Sequence, residues 1–297
     1  MNLTANPGET IRTEISIRDV SSGKLRVNSE INDFVAAGED GVPKILLNTE
    51  EESPYSLKNW ISPLQSLLLN PKEIKKLPVV INVPANAAPG GYYGVIRFTA
   101  TAPELNDTGV SLSASLGSLI LVRVNGTAKE ELSIESFTVN TVPGGKFDEK
   151  QNGTAKTLFE ALPIQFVERI RNSGNIHESP AGQVIIRNMF GKKVAAQNVN
   201  MPPRNILPGS VRKFSQPLDK SVVGNNRFFG LYTAELKLTY GPNKQTISKK
   251  VTFWVIPYTL IAIGIIGLVV LFFVLRNMMR RYNRAVIKKA QRRARRR

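Results

Sequence analysis

The chain has 297 residues, room for two ordinary domains at ~150 residues each. It contains no cysteine, which excludes a disulfide framework, and its net charge of +17 raises nucleic acid and anionic lipid as partners. Residues 276–297 hold eleven Lys/Arg and no Asp/Glu, leaving a net +6 on the first 275, so the basicity belongs mainly to a tail.

From 1 to 253 the apolar residues recur with period two, in short runs divided by Gly, Pro, Asn and Ser, the pattern of an all-β sandwich. The opening "MNLTANPGETIRTEISI" is polar and strand-like: Ile11, Ile15 and Ile17 alternate with polar residues. An export signal for an exposed body is therefore expected upstream of Met1. Acidic clusters follow at 38–41 ("GEDG") and 49–53 ("TEEES"). Neither has the ligand spacing of a calcium loop, so they read as solvated charges. One short helix is expected around Leu57–Leu69, limited by Pro63. Trp60 within it reads as a core anchor rather than a carbohydrate platform. Strands follow in "LPVVINV", "GVIRFTA" and "SLILVRV".

The boundary between domains falls near 125–132, "NGTAKEEL", giving a first domain at 1–128 and a second at 129–253. The second opens with "LSIESFTVN" and a Gly-rich polar loop at 141–157, expected to be exposed. Its clearest hairpin is "VIIRNMFGKKVAA", with the turn at Asn188–Lys192. Two features repeat across the domains. Pro71 precedes Leu77 as Pro208 precedes Phe214, and Gly-x-Tyr lead-ins at Tyr92 and Tyr232 open similar strands. These tyrosines are candidates for the tyrosine corner of immunoglobulin-like sandwiches, in which the hydroxyl bonds back to the backbone.

Lys250 and Arg276 bracket twenty-five uncharged residues. The most apolar part, Val255–Leu275, would span ~31 Å as a helix, about the hydrocarbon thickness of a bilayer. Pro257 sits at its start, where a missing N–H does little harm. Trp254 and Tyr258 are the expected interface anchors at one end, and Arg276, Arg280 and Arg281 at the other. Segments 254–275 and 276–297 thus read as a transmembrane helix and a basic cytoplasmic tail, with residues 1–253 outside. The tail also suits nucleic acid, but attraction to anionic lipid accounts for it, and nucleic acid is set aside as a partner. Met278, Tyr282, Val286 and Ala290 recur at helical spacing, which extends the helix into the tail. Gly264 and Gly267 lack the spacing of a helix-dimer motif.

Catalytic constellations are missing from the sequence. There is no nucleophile elbow, phosphate loop or dinucleotide fingerprint, and "APGG" at 88–91 precedes a strand rather than a helix. The single histidine, His177, has no partner motif for zinc and reads as structural. No enzyme activity, metal or cofactor is expected. Sequons at Asn2, Asn106, Asn125 and Asn152 mark loops at best.

The stretches "NPGET" (6–10), "VPANAAPGGYYGVIRF" (83–98), "RNSGNIHESPAGQVIIRNMFGKKV" (171–194), "LPGS" (207–210) and "GLYTAELKLTYG" (230–241), in this order and with a basic tail, resemble the WxL-interacting cell-surface proteins of bacteria. The resemblance covers nearly the whole chain. It implies a first β-sandwich that binds peptidoglycan, a second that binds a host or matrix protein, one C-terminal span, and WxL-domain proteins as partners. The chain departs from it at the N-terminus, where the family has a signal peptide and a leading strand. The expected protein is an all-β, non-enzymatic surface adhesin. It has two tandem immunoglobulin-like sandwiches and one membrane helix, with the lipid bilayer and a surface glycan, WxL-domain or host protein as partners. The alternative is a receptor or accessory subunit of a membrane complex whose tail binds a cytoplasmic partner.

Overall fold

In the computed structural model, residues 1–47, 53–101, 114–223 and 228–294 are described. Strand β1 (Asn2–Ala5) pairs in parallel with a later strand, Asn2 opposite Leu121. The expected lack of a leading strand is therefore corrected. A turn at Asn6–Glu9 then reverses the chain. Gly8 takes a φ of 81°, the Glu9 amide donates to the Asn6 carbonyl at 3.1 Å, and the Asn6 amide donates to the Glu9 carboxylate at 2.8 Å. Positive φ at the third position marks a type II turn. The same arrangement recurs at Asn70–Glu73, where Lys72 has φ 62° and the Asn70 amide donates to the Glu73 carboxylate at 2.7 Å. Each turn launches one strand of a two-stranded antiparallel sheet, β2 (Thr10–Arg18) and β6 (Ile74–Asn82).

The facing sheet of the first domain holds β3 (Leu25–Ala37), β4 (Val42–Leu46), β5 (Leu67–Leu69), β7 (Gly90–Thr101) and β8 (Ala114–Val124), with β1. Its order is β1-β8-β7-β3-β4, and β5 joins β3. Between the sheets lie Leu57, Leu69, Leu77, Val79, Ile81, Ile96, Ile120 and Val122, all buried. Each such side chain contributes about 1.5–3 kcal/mol by leaving water. The expected helix at 57–69 shrinks to one 3-10 turn, Lys58–Trp60. Beyond it Pro63 has no N–H to donate, and Leu67–Leu69 is extended and paired with β3.

In the second domain, β9 (Leu132–Thr141), β11 (Ile164–Asn172) and β14 (Val211–Leu218) form a three-stranded sheet, order β14-β11-β9. Opposite it lie β10 (Leu158–Phe159), β12 (Ala181–Asn188), β13 (Lys193–Val199), β15 (Gly230–Tyr240) and β16 (Gln245–Val255), in the order β10-β16-β15-β12-β13. A single helical turn, α1 (Lys220–Val223), follows β14. Phe166 and Phe253 meet edge to face across the two sheets, with ring centroids 6.0 Å apart. The turn before β14 repeats the proline device, with φ 72° at Gly209 after Pro208. The loop after β9 folds back over the three-stranded sheet. Gln165 donates to Gln151 O at 3.3 Å and Ser215 to Asn152 Oδ1 at 3.3 Å, so the outer face of this sheet is partly covered.

After a two-residue link, Ile256 and Pro257, helix α2 (Tyr258–Ala294) begins. Within its stretch Tyr258–Arg284 an 18-residue window has mean hydropathy 2.8 and no buried share, so the helix is long and apolar enough to cross a membrane.

Candidate functional site: a cleft where the sandwiches meet

The β3–β4 hairpin ends in Gly38-Glu39-Asp40-Gly41, with φ 60° and 70° at the two glycines. This tip reaches the second domain. Glu39 accepts from Arg169 Nε at 2.7 and 2.9 Å, its carbonyl accepts from the Lys213 amide at 2.8 Å, and Asp40 pairs with Lys213 at 3.0 Å. The expectation of solvated charges at 38–41 is thus corrected: both carboxylates serve the domain joint. Gly41 supplies the φ of 70° that the turn requires, and a Cβ there would make the Arg212 guanidinium shift. The other acidic cluster, at 49–53, lies mostly outside the described residues. No group of three metal-ligating side chains occurs among the described residues.

A second contact runs through Asn175. Its carbonyl accepts from the Gly91 amide at 2.9 Å, its Nδ2 donates to Pro89 O at 2.9 Å, and its Oδ1 accepts from the Lys129 amide at 2.8 Å. The "APGG" turn is therefore a docking edge. A Cβ on Gly90 would lie 2.9 Å from Asn175 O, and Gly90 has φ 153°. Beside it, Tyr93 Oη lies 3.3 Å from His177 Nδ1. Burial, then the positive Arg123, pushes the His177 ring down to about 4, so it is neutral at ordinary pH. Burial pushes the Tyr93 phenol upward, so its hydroxyl stays protonated and can donate to the ring.

Between these two contacts lies a cavity of about 250 Å³. Phe34, Leu119 and Leu121 line it from the first domain and Leu207 from the second, with Arg204 and Arg212 as its cationic rim. The two guanidinium carbons stand 5.3 and 5.9 Å from the Phe214 ring centroid. Arg204 pairs with Glu149 at 2.6 Å, and Arg212 Nη1 donates to Asn205 O at 2.6 Å. The Nε of each is buried without a partner among the described residues. Burial, then Arg204, lowers the pKa of Arg212. Chemically, the cleft offers an apolar wall and two charged forks to a ligand with an apolar body and an anionic group.

No family model matches the chain, and no curated protein matches it in sequence. Among solved structures, the class 5 fimbriae chaperone CfaA superposes with a TM-score of 0.40 and 14% identity, over 84% of this chain and 94% of that one. The E. coli chaperone DraB gives 0.36 and 13%, over 85% and 93%. The CsuC-CsuE chaperone–tip subunit complex of Acinetobacter baumannii Csu pili gives 0.35 and 10%, over 84% and 93%. At these scores the function of this chain has to be argued from its own residues.

The remaining expected residues fall at separate places. Tyr92 donates to Ala88 O at 3.1 Å and packs against half-buried Trp60, ring centroids 4.2 Å apart and planes tilted by 39°. Trp60 packs on the first core, and one of its faces is taken. Tyr232 donates to Phe229 O at 3.2 Å and accepts from the Phe229 amide at 2.9 Å. Trp254 is the penultimate residue of β16, and Tyr258 the first of α2; both are exposed. Arg276, Arg280 and Arg281 lie farther along the same helix, exposed beyond the uncharged stretch. Tyr258 to Arg276 measures ~27 Å along the helix axis at 1.5 Å per residue. The amide side chain of Asn125 donates to Asn6, while Asn106 lies outside the described residues. Sequence reasoning missed Asn175 and the arginines of the cleft. Period two places a residue on a face but says nothing of which loops meet.

Proposed function

We propose that this chain is a membrane-anchored surface protein that binds a partner rather than transforming a substrate. In this reading α2 lies in the bilayer, the basic tail is cytoplasmic and the two sandwiches face outward. The carrying observation is the passage from β16, after two residues, into a helix with an 18-residue window of mean hydropathy 2.8, followed by a run of cations. The interdomain cleft is the favoured partner site. Enclosed apolar walls with paired guanidinia suit a protein segment carrying a carboxylate better than a neutral glycan, which is commonly bound on open aromatic faces. That reading fits a WxL-domain or host protein as partner, with cell-wall glycan left to other surfaces of the first sandwich.

Protease applied to intact cells, followed by detection of the tail, tests the anchor: the expected product is a short membrane-protected fragment. A full-length band on cells shown to be accessible overturns it. A photocrosslinker at Val42, exposed on the cleft rim, tests the site. Specific protein adducts that vanish in an Arg204→Glu variant support it. Adducts unaffected by that change remove the cleft from the reading.

A further inference from the structure

Seven large hydrophobic side chains are exposed between residues 129 and 255: Phe147, Leu158, Met189, Phe190, Met201, Phe229 and Trp254. All but Met201 lie at one end of the second sandwich, and it is the end from which α2 leaves. The strand register establishes this. Val255, the last residue of β16, sits opposite Gly230, so Phe229 is one step beyond the sheet at the level of the helix link. Asn188 sits opposite Tyr232, which places Met189 and Phe190 at the same level on the β12–β13 turn. Leu158 pairs with Trp254. Phe147 shares a hollow with Leu162, Pro163 and Asp219 at the start of β11 and the end of β14, again this end.

Phe190 is 85% exposed and Phe229 62%. Neither is held out by accident of a loose loop. The Asn188 side chain accepts from the amides of Phe190 and Lys192 at 3.1 and 3.0 Å, and Gly191 takes φ 77° to close the turn. Lys192 and Lys193 flank the tip, both exposed. The opposite end of this sandwich is already occupied by the first domain through Asn175, Arg169 and Lys213.

We infer that this aromatic end is a membrane-seating surface: Phe190, Phe229 and Met189 enter the headgroup region of the leaflet from which α2 emerges, and Lys192 and Lys193 meet anionic lipid. The inference rests on the anchor reading, because α2 brings these side chains to the bilayer. Aromatic and cationic residues together favour that interfacial zone. With a second contact beside the helix, the sandwich is held against the surface instead of swinging on one strand.

The chain lacks cysteine, so single Cys variants of the full-length protein give clean labelling sites. The protein is reconstituted in vesicles of phosphatidylcholine and phosphatidylglycerol bearing nitroxide on headgroups or acyl chains, with an environment-sensitive fluorophore at Phe190→Cys, Phe229→Cys, Leu271→Cys or Val20→Cys. Leu271 reports the span itself. Val20, 86% exposed in the first domain, reports self-insertion of the dye. Labels at 190 and 229 are expected to be quenched by headgroup nitroxide, label 271 by acyl-chain nitroxide, and label 20 by neither. A label at Lys192→Cys should lose at least about half its quenching when Phe190 and Phe229 are both changed to Ser. Quenching at 271 with none at 190 and 229 overturns the seating surface and leaves the anchor intact. No quenching at 271 removes the anchor and the seating surface with it. Equal quenching at 20 and 190 also overturns the inference.

Discussion

Tyr93 of the first sandwich and His177 of the second share a contact of 3.3 Å, and burial keeps the imidazole in it neutral at ordinary pH. Burial and Arg123 hold the ring near 4 against an ordinary value of 6.5. A base depressed on folding contributes stability that is fully present above its unfolded value and is lost as pH falls through the folded one. The domain joint should therefore loosen between pH 6.5 and about 4. Fluorescence transfer between dyes placed in the two domains of the cysteine-free chain reports this directly. His177→Gln should flatten the response over that window; an unchanged response in the variant would assign the loosening to other groups.

The Glu39–Arg169 pair crosses the same joint with both side chains about a third exposed, so solvent screens it. Its coupling in a double-mutant cycle should be about 0.5–1 kcal/mol. Glu39→Arg alone should weaken domain closure, and Glu39→Arg with Arg169→Glu should restore most of it. Rescue that fails at low salt would show that the backbone contact from Lys213 to Glu39, rather than charge, governs the tip.

Much of this architecture is legible in the residues. "GLYTAELKLTY" alternates, and it is β15 with Tyr232, Ala234, Leu236, Leu238 and Tyr240 all inside. The uncharged run after Lys250 ends β16 and becomes a helix from Tyr258, and the hairpin at Asn188–Lys192 closes where its turn residues stand. The parallel between Pro71 and Pro208 is physical, since the residue after each takes positive φ. The cleft was not legible. Glu39 and Arg169 are 130 positions apart, and their meeting depends on how two finished sandwiches dock. The helix expected at 57–69 failed because the leucines there satisfy a core layer as well as a helical stripe. The backbone then followed the free edge of β3.

The two Tyr lead-ins should differ in energy. Tyr232 is buried and its hydroxyl makes two bonds to the Phe229 backbone, whereas Tyr92 makes one to Ala88. Tyr232→Phe should cost about 1–2 kcal/mol, because the part-buried Phe229 amide loses its acceptor, and Tyr92→Phe under about 1 kcal/mol. Urea unfolding of each variant, resolved by domain-specific labels, measures both. Equal costs would mean that solvent replaces the lost hydroxyl at Phe229 as readily as at Ala88.

Glu168 yields the sharpest pH prediction. On β11 the alternation that puts Phe166 and Ile170 in the core puts Glu168 there too, and its carboxyl is fully buried. Its visible support is Gln216, whose amide nitrogen, in the orientation satisfying both groups, donates at 2.8 and 2.9 Å. Burial outweighs that bond and pushes the carboxyl well above its ordinary 4.5. An acid raised on folding contributes stability that is complete below its unfolded value and declines as pH rises toward the folded one. One proton is at stake, so the slope is at most about 1.4 kcal/mol per pH unit. Comparison with Glu168→Gln cancels His177 and buried Glu178, whose carboxyl burial also raises. The difference in stability between the full-length protein in detergent and its Glu168→Gln variant should thus move in the variant's favour as pH rises above 4.5. Stability curves that stay parallel from pH 4.5 to 8.5 would place the ionised carboxylate in the core without penalty, which a site this dry does not allow.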